Sequence, residues 1–414
     1  MNYRSRLLKL WNNVANLQPL FKALLTRWPT VDVVGKPSRD LRIDVVRGLM
    51  LVFIFINHMP GNFIARYTLS NFSFSDAAEI FVLLAGLSAT LAYGKIIDQQ
   101  GLAVGMLRLG ARLWTLYVAH LIVFLIVCGV VFMAVTRTQN PLYIALINIQ
   151  PFLSDPLNAL VDVLTLVYQP SYLNILPLYI VLLAAFPCIY LLVRRSPALA
   201  LVVSVMVWQG ATFFNINLPE RFGGWFFNPL GWQLVFTLGV VMGQFMRHGI
   251  SLGNPRAVTT IALAVLIILC LVKIYPPGFL GLPWLEAWID EVHIGNNKMN
   301  LAPVRVAHLL AIIWVFCAFV SARTPLLTTI AGRILAMMGR HSLAVFCTGS
   351  VLSILGEVIM TETSYVITIQ LLVCATGITL LAGLGAFLSW YQLQVGSQTA
   401  RQPAPSGSAL PSRS

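Results

Sequence analysis

Apolar residues along this chain rarely alternate with polar ones; they run in blocks of roughly 17 to 25, the length a helix needs to span hydrocarbon. Such blocks fall at 45–63, 76–97, 112–135, 173–193, 198–214, 229–246, 256–275, 304–322, 339–360 and 365–391. They predict an all-α polytopic integral membrane protein of about ten transmembrane helices. Ahead of them, Leu7, Leu10, Trp11, Val14, Leu17, Phe21, Leu24 and Trp28 recur at helical spacing among Arg4, Arg6, Lys9, Lys22 and Arg27. That pattern predicts an amphipathic helix lying on the cytoplasmic leaflet over 1–41, broken by Gly35, Pro37 and Ser38. The segment lacks the apolar core and cleavage site of a secretory signal. Residues 42–393 form the transmembrane domain, and 394–414, rich in Ser, Pro and Ala, read as a disordered cytoplasmic tail.

Composition agrees with the pattern. With 58% hydrophobic and 10% charged residues, the 414-residue chain cannot hide its apolar surface in a soluble core. Charge between the blocks orients them. With a cytoplasmic N-terminus, twenty Lys and Arg fall on the cytoplasmic side and six on the far side, Arg66, Arg137, Arg221, Lys273, Lys298 and Arg305, with Arg47 inside a span. This asymmetry follows the positive-inside rule and predicts that both termini are cytoplasmic. The net charge of +13 is then accounted for by topology and attraction to anionic lipid, and a nucleic-acid partner loses its support. The six cysteines all lie in predicted spans without metal-ligand spacing and read as small buried hydrophobes.

Arg47 and His58, in RGLMLVFIFINH, break the first apolar block. Ionisable groups in a membrane are expensive and mark functional paths. Eleven residues make three helical turns plus about 20°, so both side chains share a face about 16 Å apart in height, with Asp44 near it. Far-side connections 136–172, 214–228 and 276–303 carry polar and aromatic residues; the middle of the first reads as a surface or re-entrant helix. Tyr168, Tyr172, Trp225, Phe226, Phe227 and Trp284, with Asn228 beside them, could hold a sugar, but Trp and Tyr also gather at membrane interfaces for other reasons. No GxSxG elbow, HExxH pair, Walker loop or Rossmann fingerprint is present, and no metal is expected.

RIDVVRGLMLVFIFINHMPGN, NFSFSDAAEIFVLLAGLSATLAYG, ILPLYIVLLAAFP, GGWFFNPLGWQLVFTLG and GRHSLAVFCTG resemble successive blocks of the OpgC family, the osmoregulated periplasmic glucan succinyltransferases, over almost all of 40–360. That family belongs to the transmembrane acyltransferases, whose first helix carries an Arg, ten residues and a His; Arg47 and His58 match. The resemblance implies a ten-helix enzyme of the bacterial inner membrane that moves an acyl group, typically succinyl, from cytoplasmic acyl-CoA to a periplasmic glucan hydroxyl.

The residues can be assigned beside that. Acyl transfer to a hydroxyl needs a base that is neutral near pH 7, which makes His58 the candidate, with Arg47 positioning the donor from below. In a hairpin turning near residue 67, Asp76 stands beside His58 and Glu79 one turn deeper, so either carboxylate could orient the imidazole. The competing reading is that S-D-A-A-E is a helix start. For coenzyme A phosphates the candidates are Arg47, Arg108, Arg112 and Arg340, with His341 and Ser342 of GRHS beside them. Arg340 at a helix start is unfavourable beside the dipole unless an anion joins it. Positive-inside topology explains the same arginines. His120, at membrane depth, lines a cavity or ties helices together. The acceptor candidates are Tyr172, Trp225 and Asn228. Two alternatives stay open: acetyl transfer to another envelope polysaccharide, and a secondary transporter or flippase using Arg47, His58, Asp76, Glu79 and Glu357 as its path. The acyl group, hydroxyl position and oligomeric state are not legible.

Overall fold

A computed structural model describes residues 40–221, 223–250, 255–275 and 282–399. The expected N-terminal amphipathic helix therefore lies outside the described residues, apart from its last two positions, as does 400–414. The described chain is helical, with one two-stranded antiparallel ladder pairing Pro219–Glu220 with Gly223–Gly224. Among the described residues seven helices are long and apolar enough to cross a membrane: α2 Ala77–Gln100, α3 Leu102–Thr138, α4 Ile175–Arg195, α6 Pro229–Arg247, α7 Arg256–Ile274, α10 Ser342–Glu362 and α11, whose apolar stretch runs Ile367–Val395. Three 17-residue helices, α1 Leu41–Asn57, α5 Pro197–Phe213 and α8 Pro303–Phe319, occupy the remaining predicted blocks. A further helix, α9 Ile330–Arg340, precedes α10.

Several boundaries differ from the hydropathy reading, each for a local reason. The first block was drawn to 63, but α1 stops at Asn57. Pro60 disfavours helix at the residue before it and Gly61 takes a left-handed φ of 80°. The ninth block starts three residues late because 330–340 folds as its own amphipathic helix, too polar on one face to score as a span. The tail predicted from Gln394 is helical to Thr399, as an extension of α11. The 136–172 connection holds three short helices, Leu142–Leu146, Gln150–Ser154 and Pro156–Leu164, rather than one. Cys128 and Cys374 are buried, but Cys188 and Cys317 lie on exposed helix faces, so packing accounts for only some of the six.

The tightest pairings are α2 with α6 and α1 with α9. In the first, Gly86 lies against the Phe236 carbonyl and Gly239 against the Leu83 carbonyl, close enough that a Cβ at either would strike backbone. Small residues let membrane helices approach where apolar burial supplies little drive between them. α1 also packs on α2 and α10, and α10 on α3 and α11. One end of this bundle collects Arg47, Arg112, Arg247 and Arg340; the other carries His58 and the polar connections.

Candidate active site

Two cavities lie along α1, one towards each end. The first, about 280 Å³, is lined by Arg47, Arg112, Arg340, Ser342, Ser88 and Tyr93 among others. The second, about 350 Å³, is lined by Asn57, His58, Asp76, Tyr172, Phe227 and Lys298 among others. Only Ile175 and Phe346 line both.

Among the described residues the first cavity is lined by three guanidinium groups and no carboxylate. Arg47 is braced from α2: its Nη2 donates to Ser88 Oγ at 2.5 Å and to the Leu84 carbonyl at 3.2 Å. Arg340 stands 3.5 Å from Asp44. It is the last residue of α9, not the first of the next span, so the helix dipole favours its charge and no anion is needed to explain it. Arg112 and Ser342 enter the cavity as expected. Arg108 does not: it is exposed, one turn further out on α3. His341 is also outside the lining, where its Nε2 hydrogen-bonds Ser389 Oγ at 3.1 Å. The arrangement is a polar, cationic chamber suited to phosphate oxygens.

In the second cavity His58 is the C-cap of α1 and not a residue within a span. Its ring lies tilted on Tyr172, with centroids 4.9 Å apart, and its buried Nδ1 has no hydrogen-bond partner. Asp76 shows the capping reading and lines the cavity with His58, but both its oxygens are held by other groups. Its Oδ1 caps α2 by accepting the Ala78 N–H at 2.8 Å, while Oδ2 faces Lys298 Nζ at 2.5 Å and Arg305 at 3.5 Å. Glu79 keeps only the capping reading. It accepts the Asp76 N–H at 2.9 Å and the Arg305 Nε at 2.6 Å, is fully buried, and does not line the cavity with His58. As orienter of the imidazole it is therefore corrected: capping and an ion pair to α8 use its oxygens.

Of the acceptor residues, Tyr172 lines the cavity; Trp225 and Asn228 do not. Trp225 is buried with its indole N–H donated to the Pro219 carbonyl at 3.1 Å. Asn228 caps α6 through the Leu230 N–H, and its amide donates to the Ile216 carbonyl at 2.7 Å and Asn300 Oδ1 at 2.9 Å. It thereby helps hold the 298–301 turn. Their neighbours Phe226 and Phe227, also among the aromatics singled out in the sequence, reach the cavity instead. Lys298 was counted for topology alone; a lysine in the polar run NNKMN on the far side was its available signal. His120 is buried with no hydrogen-bond partner on either ring nitrogen and lines neither cavity. Among the described residues no group of three or more His, Cys, Asp or Glu could hold a metal ion.

The profile of the OpgC protein family matches residues 39–393. The chain belongs to the OpgC family. It is accordingly a membrane-embedded glucan acyltransferase. No curated protein and no solved structure matches it. Arg47 and His58, eleven residues apart on one helix, line different cavities: Arg47 the cationic chamber and His58 the chamber with the carboxylate and the aromatics.

Proposed function

We propose that this protein takes a succinyl group from cytoplasmic acyl-CoA and esterifies a hydroxyl of a periplasmic glucan in the bacterial inner membrane, with both termini cytoplasmic. The observation that carries the reading is that one helix presents Arg47 to a cationic chamber and His58 to a second chamber, the two meeting at a shared wall. Arg112, Arg340 and Arg47 receive the phosphates and hold the donor with its acyl end towards the wall. The glycan hydroxyl enters beside His58. A ring nitrogen of His58 takes the hydroxyl proton as the oxygen bonds the acyl carbon; the C–S bond then breaks, and the thiolate takes that proton and leaves as the coenzyme A thiol. Asp76, in the same cavity, offsets the transient imidazolium charge, while Lys298 keeps that carboxylate ionised and in place. Tyr172, Phe226 and Phe227 offer the sugar faces to stack on.

The test compares periplasmic glucans, by mass spectrometry, from cells carrying wild-type protein, His58→Gln or no protein. A succinyl mass increment that requires the protein and disappears with His58→Gln is expected. An acetyl increment would move the donor assignment, and equal substitution with the His58→Gln protein would remove His58 as the base.

A further inference from the structure

Among the described residues the two cavities share two lining side chains, Ile175 and Phe346, which therefore stand at the boundary between them. Both partition side chains are buried, at 8% and 3% exposure, and the Phe346 ring packs tilted on Phe81 of α2 with centroids 6.4 Å apart. Along α1 the change of chamber occurs between Arg47 and Ile54, seven residues or about 10 Å of helix rise. A donor whose phosphates sit on the arginines cannot bring its acyl carbon to His58 without passing this partition. Resting on the acyltransferase reading above, we propose that Phe346 and Ile175 form the gate through which the acyl group passes, and that Phe346 sets the longest acyl chain transferred.

The chemistry of the partition supports two functions at once. An aromatic ring and a branched aliphatic chain offer water no hydrogen-bonding partner, so with the gate closed the thioester is shielded from water on the glycan side. With the gate open, the gap left by one turned side chain admits a short acyl group, and each added methylene must displace packed atoms. Ile175 begins α4 and Phe346 lies in the second turn of α10, so either side chain can move without carrying the catalytic histidine on α1.

The experiment uses full-length protein purified into lipid nanodiscs, with succinyl-, glutaryl- and adipyl-CoA as donors and a β-glucan oligosaccharide as acceptor. Ester formation and thiol release are followed for wild type, Phe346→Ala, Phe346→Leu and Ile175→Phe. Ratios between donors within one preparation are independent of how much protein folded. The expected result is a glutaryl- or adipyl-to-succinyl ratio raised about tenfold or more in Phe346→Ala and less in Phe346→Leu, since one methylene in a tight pocket is worth roughly 10- to 200-fold. Thiol release without acceptor, which is donor hydrolysis, should rise with it, and Ile175→Phe should lower the longer-donor ratio. Ratios within twofold of wild type in any active Phe346 variant would overturn the gate. Should Phe346→Ala be inactive, the Phe346→Leu ratio decides in the same way; if neither transfers, unchanged donor ratios in Ile175→Phe overturn it and a lowered ratio supports it. Absence of transfer from every donor by wild type would instead defeat the acyl-CoA donor proposed above, on which the gate rests.

Discussion

His58 reaches its cavity because Pro60 and Gly61 end the helix beneath it, leaving the imidazole at a helix terminus where a polar chamber can form. His58→Gln keeps hydrogen-bonding capacity but cannot take up the hydroxyl proton, so purified variant should retain acyl-CoA binding and lose transfer by about 10²- to 10⁴-fold in kcat. The arginines divide in the same concrete way. Arg112→Ala and Arg340→Ala each remove a cation from the first cavity and should weaken acyl-CoA binding roughly ten- to a hundredfold, the loss of a charge-assisted contact of about 1.5–3 kcal/mol. Arg108→Ala, one turn outside, should leave the dissociation constant within about twofold; titration calorimetry on the three variants separates a phosphate site from general positive charge. Glu79→Gln should act on stability instead. It removes the nearer of two carboxylates from the buried Arg305 guanidinium and leaves Asp76 at 3.5 Å, so the cost should fall at or below the low end of the roughly 3–5 kcal/mol of a fully broken buried pair, read as a lowered Tm in thermal unfolding.

At the scale of elements, two connections distant in sequence are fastened to each other by ion pairs. Arg221 reaches Asp162 at 2.5 Å and Asp155 at 3.1 Å, tying the ladder segment to the helix Pro156–Leu164. The Asn158 amide, then Arg221, holds Asp155 below the ordinary carboxylate range. Because the folded-state value is the depressed one, this contribution is present above the unfolded carboxylate pKa and is lost as pH falls through the folded value. Protection over 156–164, taken relative to the intrinsic exchange rate at each pH, should therefore hold at neutral pH and fall modestly below about pH 4, where unfolded aspartate itself protonates. Arg221→Ala should show the lower protection at neutral pH as well. Such connections were legible as long polar loops, but which charges would meet was not, since Arg221 and Asp162 are joined only by tertiary contact.

For the whole molecule, the twenty-to-six distribution of cations predicts that reporter fusions at Ser414 report the cytoplasm and that fusions in 276–303 report the periplasm. Composition and hydropathy were enough to determine a helical membrane protein, and nearly every long helix, because in hydrocarbon each backbone group must be satisfied within its own segment. The Arg47–His58 spacing likewise determined that one helix would serve two heights, as helical rise is a property of the backbone alone. What only the tertiary structure decided was which neighbours completed each site. Asp76 and Glu79, three residues apart and both candidates in the sequence, separate because Lys298 meets Asp76 at the cavity wall while Glu79 is buried against Arg305. Arg340 changes from a strained helix start to a favoured helix end because 330–340 packs as its own helix against α1. Phe346 and Ile175, two unexceptional apolar residues in the sequence, stand at the boundary of the two cavities only because α10 and α4 each bring one side chain there. Apolar spacing determines that a side chain is buried, but not what lies on either side of it.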